Sequence, residues 1–179
     1  MGLFKGIKAK VGQYALKKAA AVNSQRLFIN WNDVSKVQIL FHRSNQAEAD
    51  TMAKFARFLL DEGKKVDVLI FVDSKKIDET LQNRTGLTYY CRKNLNWFGK
   101  PKDEFFNEFI KQPSDLLIVA DFYKHFHFKW IATLSKSKSV VAPFNEDNNW
   151  ATLLIKIDNN NLDNFLKQSI HYLGFINKK

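Results

Sequence analysis

The segment Arg92-Lys93-Asn94-Leu95-Asn96-Trp97-Phe98-Gly99-Lys100-Pro101-Lys102 interleaves four cations with two aromatic rings in a stretch punctuated by glycine and proline. Cations of this kind neutralise phosphates, and exposed rings stack on unpaired bases, so the pattern points to nucleic acid, and to RNA in particular. Candidate contacts are Arg92, Lys93, Trp97, Phe98, Lys100 and Lys102. A second set lies at the amino terminus, where residues 1–26 carry Lys5, Lys8, Lys10, Lys17, Lys18 and Arg26 and no acidic side chain. Wound as a helix, that arm places Leu3, Phe4, Ile7, Val11, Tyr14, Ala15 and Val22 within a stripe of roughly 120°. Its lysines would reach phosphate. With the stripe free, the same arm would lie on an anionic membrane surface; a third reading packs the stripe on the protein's own domain or on a protein complex.

Other residue types capable of chemistry form no recognisable signature. The segment Phe41-His42-Arg43-Ser44-Asn45-Gln46 contains no glycine, so it is neither a dinucleotide fingerprint nor a P-loop. Arg43 and Ser44 could hold one phosphate at a helix start, although ordinary capping is the stronger reading. Asp73 and Asp121 each end an apolar run, a position suited to meeting a ribose or to capping the next element. His125 and His127 are two apart, a spacing that on a helix turns the rings away from each other and excludes a shared metal. Cys91 falls in an apolar run and reads as a buried core residue. The expectation is a chain with no catalytic residues, no cofactor and no metal.

These residues need a scaffold, and 179 residues with 45% hydrophobic and 14% aromatic side chains suffice for one packed domain plus an extension. Net charge is +10 and the pI is near 9.6, a balance that favours anionic partners. No run reaches the length of a membrane span, no signal peptide is apparent, and a lone cysteine suits a reducing compartment. The expected location is the cytoplasm, or the cytoplasmic face of the inner membrane if the arm binds lipid.

Along the chain, strands are expected near 37–41, 66–72, 87–91, 116–120, 139–142 and 153–157. Helices are expected near 46–62, 76–82, 103–111, 123–136 and 162–173. Asn45 and Glu48 form a capping pair, and Gly63 suits the position after a helix. Short apolar strands alternating with amphipathic helices specify an α/β fold. The domain, residues 27–179, should be a three-layer αβα sandwich of Rossmann-like or flavodoxin-like type with a mostly parallel sheet, preceded by the basic amphipathic arm of residues 1–26.

Two resemblances add to this. Met1-Gly2-Leu3-Phe4, Asn94 to Pro101 and Asp115-Leu116-Leu117-Ile118-Val119-Ala120 resemble an uncharacterised family of small basic Bacteroidota proteins, which implies no activity. The segment Asp115 to Phe144, about 30 residues, is similar to the acceptor-side domain of heptosyltransferase-type glycosyltransferases. Those enzymes carry a Gly-Asp after their first strand and a second, sugar-nucleotide-binding domain. Phe41-His42-Arg43-Ser44 lacks the Gly-Asp, so the resemblance implies a degenerate half that kept the scaffold. The reading that results is a non-enzymatic RNA-binding protein of the ribosome-associated kind.

Overall fold

A computed structural model describes residues 2–20 and 26–176, with only the backbone of residues 2–5. The side chains of Leu3, Phe4 and Lys5, and all of Val22, Lys178 and Lys179, lie outside the described residues. The elements are α1 (Gly2–Ala20), β1 (Lys36–His42), α2 (Gln46–Asp61), β2 (Lys65–Val72), β3 (Leu87–Cys91), α3 (Glu104–Lys111), β4 (Ser114–Ala120), α4 (Phe126–Leu134), β5 (Ser137–Pro143), β6 (Leu153–Ile155) and α5 (Leu162–Gly174). All six strands pair in parallel in the order β3-β2-β1-β4-β5-β6. This is the Rossmann-like order, with the direction of winding reversing between β1 and β4.

Alternation along the strands sorts the core into two layers. Val37, Ile39, Phe41, Ile118 and Val141 face α2 and α5, where they meet Met52, Leu59, Phe165 and Leu173. Leu40, Leu69, Leu117, Val119 and Val140 face α3 and α4, where Phe106, Phe109, Phe128 and Ile131 complete the second layer. Burial on both faces explains why the central strands read as nearly continuous apolar runs. Gln38 is a polar exception, fully buried in β1 and hydrogen-bonded through both its amide nitrogen and its carbonyl. Its amide donates to Phe109 O at 2.8 Å, and its carbonyl accepts from Ser114 Oγ and Ser137 Oγ at 2.9 and 3.2 Å.

Two local expectations are corrected. Residues 76–82 form no helix, so β2 crosses to β3 through an irregular segment. Asp78 Oδ1 accepts from both the backbone N–H and the hydroxyl of Thr80, and such local bonds compete with the helical ladder. The fourth helix starts at Phe126, three residues later than its apolar period implies. Asp121 accepts from the backbone N–H groups of Tyr123 and His125 at 2.9 and 2.6 Å, and Lys124 has φ 61°, a left-handed backbone that no α-helix contains.

The arm is helical and packs on the domain, but through a different face from the expected stripe. Its contact is with α4, and the buried positions are Gly12 and Leu16 with Ala15 partly covered. Ile7, Val11 and Tyr14 are exposed, Tyr14 at 73%. The helix is seated by closeness of approach, because only a residue without a Cβ fits over the ring of Phe126. After the arm, the Leu27 N–H donates to Lys138 O at 2.8 Å, and Asn30 caps a short turn of 3₁₀ helix at Trp31–Asp33.

Candidate functional site

The winding reversal places the ends of β1 and β4 side by side, with those of β2 and β5 flanking them. Three of the chain's four histidines converge there. His42 closes β1, His125 caps α4, and His127 lies in its first turn. The rings of His42 and His125 are 4.7 Å apart, those of His125 and His127 are 5.1 Å apart, and Phe71 of β2 packs against all three. Because His125 precedes the helix, the helical-spacing argument that separated it from His127 does not apply. Among the described residues no group of three or more His, Cys, Asp or Glu side chains is arranged to hold a metal ion.

Asp121 organises the cluster. Its Oδ1 sits 2.8 Å from His125 Nδ1, so the pair forms a dyad at the switch point. Burial raises the Asp121 carboxyl, but bonds from His125 and from the backbone amides of Tyr123 and His125 outweigh it and leave it below the ordinary carboxylate value. Burial pushes His127 down to about 3, with the neighbouring His125 adding to the shift, so its imidazole is neutral at physiological pH. His42 is lowered in the same way, by burial first and by His125 second. His42 Nδ1 and His127 Nε2 are buried with no hydrogen-bond partner.

The other strand-end residues are engaged locally. Arg43 donates to Gln46 Oε1 at 2.6 Å, Ser44 donates to Glu48, and Asn45 Oδ1 accepts the Glu48 N–H at 2.9 Å, so this segment caps α2. Asp73 pairs with Arg92, whose bond holds the carboxyl below its usual value. That pairing leaves Arg92 exposed but with its charge partly neutralised. Cys91 is buried, its Sγ near Lys75 O.

The basic aromatic segment is an ordered hairpin. Leu95 and Pro101 bridge antiparallel, the Asn96 side chain accepts from the N–H groups of Phe98 and Lys100, and Asn94 ties Cys91 to Asp103. Gly99 at φ 89° turns the tip. Trp97 projects there, 58% exposed, with Phe98 edge-on to it, while Lys93 and Lys102 are exposed at the hairpin's base. Lys100 is committed inward, its ammonium 5.0 Å from the centre of the Trp130 ring. The hairpin and the arm face one residue: a Cβ built on Gly99 would lie 3.6 Å from Phe126 Cδ1, and one built on Gly12 would lie 2.9 Å from its Cζ.

Of the arm's cations, Lys8, Lys10, Lys17 and Lys18 are exposed, and Lys5 lies outside the described side chains. Arg26 differs. Its guanidinium donates to Ser137 O and, at 2.7 Å, to Ala132 O, so it fastens the chain to the carboxyl end of α4, and burial lowers it from its ordinary value.

A family model described as a family of unknown function (DUF6913) matches residues 8–176, and the chain belongs to that family. No curated protein and no solved structure matches it. The class defined by fold and family is thus a Rossmann-like α/β protein of this family with a basic helical arm. No helix among the described residues is long and apolar enough to cross a membrane.

Proposed function

We propose that the protein binds RNA without acting on it enzymatically, as a ribosome-associated factor. The observation that supports this reading is the shared seat of arm and hairpin on Phe126, which joins the two basic segments at one end of the domain. Lys93 and Lys102 are exposed at the base of the hairpin whose tip carries Trp97, and Lys8, Lys10, Lys17 and Lys18 line the arm. Together they supply phosphate neutralisation and a stacking ring from a fixed backbone. The proposed kinship with small basic Bacteroidota proteins, and the loose one with heptosyltransferases, fit a scaffold that retains the sheet without the Gly-Asp after its first strand. Binding of ribosomal RNA measured between 50 and 200 mM salt tests the reading: log K should fall by roughly 0.7 to 0.9 per phosphate contacted. A flat salt profile, or equal binding after deletion of residues 1–26, removes it.

A second reading has its own observation. Ile7, Val11 and Tyr14 form an exposed apolar line on the arm, flanked by lysines, which suits an anionic membrane surface. Flotation with anionic liposomes, dependent on residues 1–26, would favour it over RNA.

A further inference from the structure

Beyond the carboxyl ends of β4 and β5 lies a cavity of about 210 Å³, walled by α1 through Gln13, by the turn into α4, and by the connection from β5 to β6. We propose that it binds a phosphate monoester carrying a flat ring, of nucleoside monophosphate size. The inference is independent of the RNA reading, since it uses neither Trp97 nor the exposed lysines of the arm.

It opens at the carboxyl end of the sheet, the end at which open parallel sheets bind ligands, one strand away from the switch point between β1 and β4. Its volume is below the roughly 300–1,000 Å³ of pockets for drug-sized molecules, which restricts it to a small metabolite. The polar lining is rich in donors. Lys124 and Lys129 border it, and the amino end of α4 opens into it between them. The oxygens of Asp121 are already taken by His125 and by two backbone amides, which leaves Asp147 as the carboxylate free to receive a hydroxyl. An acceptor-rich anion is what this set complements.

The backbone around the cavity is also unusual. Among the described residues three non-glycine positions have left-handed backbones, and Lys124 and Asn160 line this cavity. For a lysine that conformation is unfavourable and persists where the surroundings enforce it. Phe144, 57% exposed at the rim, offers a ring face on which a base can lie.

Calorimetric titration of the full chain with the nucleoside 5′-monophosphates, with adenosine and inorganic phosphate in parallel, tests this. Monophosphates should bind about tenfold more tightly than either fragment. Lys129→Gln removes one cation and should weaken binding about tenfold. Lys124→Gly separates ligand contact from folding: relief of the left-handed lysine should hold or raise the melting temperature while affinity falls. Trp97→Ala should leave monophosphate binding unchanged whether or not RNA binding is lost. Absence of binding at millimolar ligand, phosphate binding as tightly as the monophosphates, or full affinity in Lys124→Gly and Lys129→Gln would overturn the proposal.

Discussion

Gly12 of α1 lies so close to Phe126 of α4 that a Cβ built on it would stand 2.9 Å from the ring's Cζ. Phe126 also packs against Trp130, at 6.0 Å between ring centres, so the ring has little room to yield. Gly12→Leu should therefore lift the arm off the domain, at a cost of roughly 1–3 kcal/mol. Limited proteolysis checks this: the arm of the variant should be cleaved well before the wild-type arm while the domain resists.

Arg26 should behave as a structural residue. Removing its guanidinium leaves the carbonyls of Ser137 and Ala132 without a charged donor, and Arg26→Ala should lose roughly 1.5–3 kcal/mol in urea unfolding. Arg26→Lys should recover little, because one ammonium does not reproduce a fork that spans two carbonyls.

His127 makes the fold sensitive to acid. Its folded value, about 3, lies below the unfolded value near 6.5, so the unfolded chain binds more protons between the two. Its contribution is intact above about pH 6.5 and is lost progressively as pH falls toward 3, by about 2 kcal/mol at pH 5. His42, also lowered, acts in the same direction, whereas the lowered Asp121 loses its contribution only below the ordinary carboxylate range. His127→Phe should flatten the pH 5–8 part of the stability profile, measured by urea denaturation at each pH.

On the RNA reading, Trp97→Ala should weaken binding by roughly 1–3 kcal/mol with no change in melting temperature, since the ring is exposed at a hairpin tip held by other residues. Replacing Lys93 and Lys102 together by alanine should instead lower the salt slope by about 1.5 and leave sequence preference untouched. Filter binding across a salt series distinguishes the two effects.

The sheet was legible because its strands are buried on both faces and its helices carry apolar periods; six strands and the helices from α2 onward fall close to where those patterns place them. Residues 76–82 misled because Ile77 and Leu81 sit at helical spacing while Asp78 and Thr80 bond each other. The arm's stripe misled because tertiary contact selected Gly12 and Leu16 over the more apolar Ile7 and Val11, a choice made by the ring of Phe126. The histidine cluster was hidden for a topological reason. His42 and His125 are brought together only by the adjacency of β1 and β4, which the sequence between them does not announce.

The anchoring of the arm also orders events in time. The contacts that seat α1 on α4, and those that fasten Arg26 and Leu27 to α4 and β5, are all made far downstream in the chain. During synthesis the arm is therefore made before every one of those elements and docks only after they have formed. Its cations stay undocked until β5 has emerged, which gives a nascent chain a positively charged leash that the finished protein holds against its own surface.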